Sequence, residues 1–332
     1  MRIALICNFK KEARGSEVHD KYAEFDSAET LNAIKKAIEL SGKGRKVKII
    51  NADEKAYFSI KKFRPDFVFN IAEGLYGRSR EAQIPLMLEY MQIPYSGSCP
   101  LSLSICLDKV MTKEILIYHG IPTPKFQVFS SGNEKIDSGM KFPMICKLIH
   151  EGSSMGLSDK SVVDNESELR KQVKFLLAEY REDVLVEEFI EGKDITVAVV
   201  GNENLEFLPA IETYLDKYPK KFRILNYEAK NIGNDDDYFG HAGIDGAAGK
   251  KIKDAAVRAF RAAKCSDFCR IDFRLDKKNN PSVLELNPLP GLSPSMKSIS
   301  LFPKAARLAG ISYNELIRKM LETSLRRNKI QE

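Results

Sequence analysis

Glu285 and Asn287 stand two residues apart in the stretch SVLELNPLPG, inside an apolar run formed by Val283, Leu284 and Leu286. Side chains alternate across a strand, so the two polar groups share a face. A carboxylate in such a setting is costly unless it is paired or bound to a metal. Upstream, CRIDFRLD puts Arg270, Asp272 and Arg274 on one strand face and Ile271, Phe273 and Leu275 on the other, with KKNNP as a turn between the two strands. The hairpin lets Asp272, Glu285 and Asn287 converge. Three hard oxygen donors suit magnesium, which also takes substrate phosphates. The same acids could instead pair with Arg270 and Arg274.

Two further segments have chemical potential. HEGSSMGLSD (150–159) follows the strand carrying Lys147, and its glycines and serines could close backbone N–H groups over a phosphate or form an ordinary hairpin turn. VLVEEFIEGKDITVAVV reads as strand, acidic connection, strand. Such a connection can offer backbone groups to a purine and a carboxylate to a ribose, or Glu187, Glu188 and Asp194 can form a solvated rim. Neither G-x-x-x-x-G-K-[ST] nor a G-x-G-x-x-G after the first strand is present, which excludes a P-loop and a Rossmann dinucleotide site. No G-x-S-x-G elbow is present either.

The elements that must position these groups fall into an alternating first part and a strand-dense second part. RIALIC, KVKIIN and DFVFNI read as strands of a parallel sheet, and FDSAETLNAIKKAIELSGKG as a helix with Asp26 as cap, Glu29 completing a capping box and Gly42 past its end. SLSICLDKVMTKEILIYHGI reads as one helix. FPMICKLI, DVLVEEFI, DITVAVVG and LEFLPAIE follow as closely spaced strands, pointing to antiparallel pairing, with one helix at 165–181 capped by Asn165 and Glu168. GNDDDYFGHAG is the candidate long mobile loop.

The 332 residues are 43% hydrophobic and 30% charged, an ordinary soluble composition with room for two or three domains. No apolar run nears the roughly 20 residues of a membrane helix, and MRIALIC is too short for a signal peptide, so the cytoplasm is expected. The six cysteines include no C-x-x-C pair and read as small hydrophobes in a reducing compartment. A net charge of +6, spread along the chain, does not argue for nucleic acid.

The order of LDK..TK, the lysine strand before EGSSMG, VEEFIEGKDITVAV, YEAK, CRIDFRLD, LELNPLPG and SLFPKAARLAGISY resembles the D-alanine–D-alanine ligase family of the ATP-grasp superfamily. The resemblance implies an α/β (α+β) ATP-grasp fold. Its parts would be a parallel N-terminal domain (1–97), a central subdomain with the phosphate lid (98–185) and a C-terminal subdomain with the metal and substrate sites (186–332). It implies an ATP-dependent carboxylate–amine ligase in which ATP phosphorylates one carboxylate and a second substrate's amine attacks the acyl phosphate. Lys109, Lys147 and Lys230 would then bind ATP phosphates, with Glu187, Glu188 and Ile190 at the adenine and Asp194 at the ribose. Asp272, Glu285 and Asn287 would hold two magnesium ions, with manganese an acceptable substitute. Arg270, Ser153 and the backbone of Gly291 would serve catalysis. Ser300 and Leu301 would hold the second substrate's carboxylate. The implied partners are small-molecule amino acids, with no nucleic acid or membrane, and a second copy of the chain joined through the N-terminal domain.

The departures gather on the substrate side. The family's GG.S.E stretch, whose glutamate anchors the first D-alanine, has no clear counterpart in CNFKKEARGSEVHDKYAEF, leaving Glu17 and Glu24 as candidates. HG..GEDG is replaced by FNIAEGLYGRSREAQIP, which offers Glu73, Arg78 and Glu81. Asn231 follows YEAK where the family has an aromatic or histidine that helps select the acceptor. The segment between LPGL and SLFP is longer, and Leu148 replaces a proline. Three functions remain: D-alanyl–D-alanine synthesis for peptidoglycan, the same chemistry on other amino acids, or a nucleotide-binding module without catalysis. Retention of Arg270, Asp272, Glu285 and Asn287 together speaks against the last.

Overall fold

The first apolar run becomes the middle of a sheet. In the computed structural model, which describes residues 1–11, 20–217, 224–225, 235–296 and 298–330, β1 (Arg2–Cys7) lies between β2 (Lys46–Asn51) and β3 (Phe67–Asn70), parallel to both. Ile3 to Cys7 are fully buried, as expected for a parallel strand covered on both faces. One cover is the helix Ala28–Leu40, whose Leu31, Ile34 and Ile38 join the core together with Leu316, Ile317 and Met320 of the C-terminal helix Tyr313–Arg327. The cap of the first helix is not Asp26. Ser27 Oγ accepts from Thr30 N at 3.2 Å and no capping box forms with Glu29, while the helix ends at Leu40 with Ser41 as its cap and Gly42 just past the end, as expected. Asp26 instead extends the chain, its N–H donating to the Asn8 carbonyl.

The stretch 102–121 is helical as expected but is broken once, for a local reason. Asp108 ends the helix Pro100–Leu107 and caps a new one, Lys109–Tyr118, its Oδ1 accepting from Val110 N and Met111 N at 3.0 Å each. Lys109 thereby becomes the first residue of a helix. Within 233–243, the described residues form a short helix, Asp235–Tyr238, and a strand, Phe239–His241, so this part is not a loop.

The strand-dense remainder builds two antiparallel sheets, as the short connections required. One has β4 (Phe126–Phe129), β5 (Met144–Leu148), β6 (Val162–Val163) and β7 (Val184–Glu188) in the order β4-β7-β5-β6. The helix Glu166–Tyr180 covers it with Leu169, Val173 and Leu176, and Asn165 caps that helix as its sequence suggests. The other sheet has β8 (Gly192–Val200), β9 (Glu206–Phe207), β10 (Ile211–Thr213), β11 (Phe239–His241), β12 (Phe268–Asp276) and β13 (Pro281–Asn287), ordered β11-β10-β8-β12-β13 with β9 on β8.

Register in the hairpin β12–β13 decides the site. Asp272 lies opposite Glu285 and Arg270 opposite Asn287. A bulge between Asp272 and Phe273 brings Phe273 opposite Val283 and leaves Leu284 as the extra residue. Val283 and Leu286 therefore enter the core, while Leu284, expected among the buried residues, faces a cleft beside Glu285. The bulge is invisible in the residue pattern, which fits an uninterrupted strand equally well.

One buried carboxylate ties distant segments together. Asp267, fully buried at the start of β12, accepts from Arg327 Nε at 2.8 Å, Arg327 Nη2 at 2.9 Å, Gly97 N at 2.9 Å and Asn202 Nδ2 at 3.1 Å. The same guanidinium donates to the carbonyls of Tyr95 and Gly97. Asp267→Ala would leave Arg327 and Gly97 N without their acceptor. Chemical unfolding should show a loss of about 3 kcal/mol, within the usual range for breaking a buried pair. An unchanged midpoint would contradict this assignment.

Candidate active site

Two cavities meet at the β12–β13 hairpin. The first, about 200 Å3, lies between the two antiparallel sheets. Glu187 on β7 is 1% exposed, so the solvated-rim reading of this residue does not hold. Its carboxylate sits between two lysines: Lys113 at 2.9 Å and Lys147 at 2.8 Å. Burial opposes its ionisation, but the two ammonium groups hold it down to about 2. Lys113, fully buried, also donates to Thr123 Oγ1 at 2.7 Å, and Thr123 donates to the Val283 carbonyl. Burial pushes the Lys113 ammonium down while Glu187 pushes it up. The row Lys113–Glu187–Lys147 thus fixes Lys147 on the cavity wall. Lys113 is a site residue that the spacing analysis passed over, although it stands in the LDK..TK motif.

Asp194 faces the same cavity but is ion-paired with Arg274, whose Nε donates to the Ile190 carbonyl at 2.7 Å and whose guanidinium lies 4.7 Å from the Phe189 ring centroid. Glu188 accepts from Lys141 N at 2.9 Å. Both acids and Ile190 line the cavity, and a bound sugar or base would have to share them with these partners.

Arg270, Lys109, Glu285, Gly152 and Ser153 belong to the walls of both cavities. Arg270 donates to Asp272 Oδ2 from Nη2 at 2.8 Å and lies 3.6 Å from Glu285, and Lys109 Nζ is 4.0 Å from Glu285. Burial opposes ionisation of Glu285, yet Lys109, Arg270 and Lys147 bring it down to about 2. Asp272 moves the other way, raised by burial against the lowering effect of Arg270, with Glu285 raising it further. Asn287 Nδ2 donates to Asp272 at 3.2 Å and to Glu285 at 3.4 Å. The alternative that Arg270 and Arg274 pair with the two acids holds only for Arg270, because Arg274 serves Asp194.

Among the described residues, no three His, Cys, Asp or Glu side chains cluster at metal-ligand spacing. The donors here are two carboxylates and an amide, all oxygen-capable, which suits magnesium shared with phosphates rather than an all-protein cage. Two facing carboxylates are what a hard cation would relieve, and Asn287, which here turns Nδ2 toward both, would present its Oδ1 instead, so the residues fit the ion.

The lid EGSSMG is packed down. Ser153 and Ser154 adopt φ of +49° and +62°. Ser154 Oγ donates to the Leu225 carbonyl at 2.9 Å, and Gly156 N to Asp20 at 3.1 Å. A Cβ on Gly152 would stand 2.1 Å from Glu24 Oε1, so a larger residue here would have to displace the Glu24 carboxylate. Buried Arg80, which no motif in the sequence marks, donates to Glu24 at 2.9 Å, Glu151 at 3.1 Å and the His150 carbonyl at 2.7 Å, tying the N-terminal segment to the lid. Arg78 is exposed and donates to His150 at 3.2 Å.

The second cavity, about 310 Å3, is bounded by Ala23–Thr30, the lid and 285–300. Gly291 and Ser300 line it, and Ser300 Oγ accepts from Ser293 N at 3.1 Å. Leu301 stands on the wall of the first cavity instead. Glu24, Glu73 and Glu81 all line the second cavity. Lys230, Asn231 and Glu17 lie outside the described residues.

Residues 115–322 match the family model described as "D-ala D-ala ligase C-terminus". The chain belongs to the D-alanine–D-alanine ligase family. It is 36% identical over 334 residues to the D-alanine–D-alanine ligase of Carboxydothermus hydrogenoformans, covering 98% of both chains. It is 33% identical over 338 residues to the uncharacterized protein y4sG of Sinorhizobium fredii, again with 98% of both covered. The structure of the Bacillus anthracis D-alanine–D-alanine ligase complexed with ATP superposes with a TM-score of 0.74, at 26% identity and 99% coverage of each chain. The family membership makes this protein an ATP-dependent ligase with the ATP-grasp fold. No helix among the described residues is long and apolar enough to cross a membrane.

The buried row gives a pH-dependent prediction. Glu187 is depressed below its unfolded value of about 4.3, so its contribution is present above that pH and lost as pH falls toward about 2. Glu187→Gln should cost about 3–5 kcal/mol at pH 7, by leaving Lys113 unpaired, and the gap to the wild type should narrow between about pH 4.5 and 2. Urea titrations at several pH values check this. A gap independent of pH would contradict the pairing.

Proposed function

We propose that this ligase joins two amino acids, with its nucleotide in the first cavity and the amino acids in the second. The observation that carries the reading is the shared wall: Arg270, Lys109, Glu285 and Ser153 face both spaces, so a phosphoryl donor and an acceptor carboxylate can meet there. The substrate's carboxylate oxygen would take the γ-phosphoryl group, releasing ADP. The amine of the second amino acid would then attack the acyl carbon, form the amide bond, lose a proton and release phosphate. D-alanyl–D-alanine is the reference product, since the Carboxydothermus hydrogenoformans and Bacillus anthracis proteins are named D-alanine–D-alanine ligases.

The chain's own residues contribute position and charge. Lys147, held by Glu187, and Lys109, whose Nζ donates to the Glu151 carbonyl at 2.6 Å, supply fixed positive charge beside the transferring group. Lys230 would join them. Glu187, Glu188 and Ile190 would border the base, and Asp194 the ribose. Arg270 would neutralise charge on the acyl phosphate and on the tetrahedral oxyanion, with Ser153 from the lid and the backbone of Gly291 alongside. Ser300 and Leu301 would hold the second carboxylate, and Asn231 would border that substrate. Asp272, Glu285 and Asn287 would hold magnesium, two ions by family analogy. That metal would neutralise phosphate oxygens and orient them. We also read three units, 1–97, 98–185 and 186–332; the presence of one sheet per unit supports this, with β7 running across the second boundary to Glu188. A homodimer through the N-terminal unit and a cytoplasmic site complete the reading, the latter supported by six free cysteines.

A coupled ADP-release assay with amino-acid pairs tests it. Release that depends on an amino acid is expected, and nucleotide binding without release for any pair would leave only a binding module. Glu285→Gln should lower kcat by about 10²–10³ with folding intact. Full activity of this variant with magnesium would overturn the metal assignment.

A further inference from the structure

The second cavity holds more carboxyl groups than an alanine needs. Glu24, Asp26, Glu73 and Glu81 come from two separate segments and line the same space. They are close enough that the charges of Glu24, Asp26 and Glu81 all push the Glu73 carboxyl upward, on top of its burial. Glu24 has a partner in Arg80, and Lys10 acts on Asp26. Lys109 and Arg270, the other cations on the wall, stand nearest Glu285. Against their burial, Arg80 also draws the Glu73 and Glu81 carboxyls downward, and Lys109 the Glu81 carboxyl, but neither acid has an ion pair of its own among the described residues. Glu81 is 8% exposed, lines the cavity, and makes no hydrogen bond or ion pair among the described residues. A buried carboxyl without a partner is costly, and a cation placed against it removes that cost.

We propose that the amino acid bound in this cavity carries a second cationic group on its side chain, as ornithine and lysine do, and that Glu81 and Glu73 receive it. The inference rests on the ligase reading. A single α-ammonium can offset one of these two carboxyls and leaves the other without an ion pair. A metal ion is a poorer occupant, because no three of these acids stand at metal-ligand spacing among the described residues. The volume of about 310 Å3 leaves space for a side chain longer than a methyl group.

The test uses the full chain in the ADP-release assay, with ornithine, lysine, norleucine and alanine in both stereochemical forms, each alone and with D-alanine. The expected kcat/KM for ornithine or lysine exceeds that for norleucine by about tenfold or more, because a site built for a polar group discriminates against its absence. Glu81→Gln should bring that ratio toward one, and Glu73→Gln should lower it. Equal values for the cationic and neutral amino acids, or a ratio unchanged in Glu81→Gln, would overturn the inference. ADP release with D-alanine but no cationic preference overturns this inference and leaves the ligase reading standing. No release with any amino acid overturns the ligase reading, and this inference with it.

Discussion

The pairing of β12 with β8 on one side and β13 on the other sets Asp272 between Thr196 and Glu285. Two carboxylates are thereby pressed together across a strand pair, an arrangement that like charges disfavour. The structure meets it with Arg270 bridging both acids, a hydrogen bond from Thr196 to Asp272 at 2.7 Å, and Lys109 arriving at the tip of its own helix. The break at Asp108 matters for this reason: a continuous helix would not start at Lys109 and aim it at Glu285.

The neighbouring charges extend the same logic. Lys113, from the helix Lys109–Tyr118, forms a paired row with Glu187 and Lys147 of the sheet across the first cavity, and Lys147 adds to the field on Glu285. Arg80 does the corresponding work for the lid, linking Glu24 and Glu151 so that Gly152 comes against the N-terminal segment. The cavities are separate spaces with a common charged wall, as group transfer between two ligands requires.

Strand alternation made much of the centre legible. Arg270, Asp272, Glu285 and Asn287 share a face in the residue pattern and in the hairpin, because pleating leaves no other choice once both strands form. The parallel first sheet and the antiparallel remainder followed from connection lengths. What stayed hidden depends on contacts between distant segments. The extra residue at Leu284 obeys no residue preference. Whether Glu187 is rim or core is set by Lys113, 74 positions away (187 − 113). The cap at Ser27 rather than Asp26 is a choice between two equally good capping residues. Arg80 looked like one charge among several in GRSREAQ, and its burial under the lid appears only in three dimensions.

The central claim is that the carboxylate pair lies where nucleotide and substrate cavities meet. The most direct measurement is a crystal structure with manganese and a non-hydrolysable ATP analogue, using anomalous scattering to locate the metal. The account predicts metal density at Asp272, Glu285 and Asn287, terminal phosphate beside Arg270 and Lys109, and the base against Glu187, Glu188 and Ile190. Phosphates bound away from Arg270, or metal density without contact to Glu285, would contradict it.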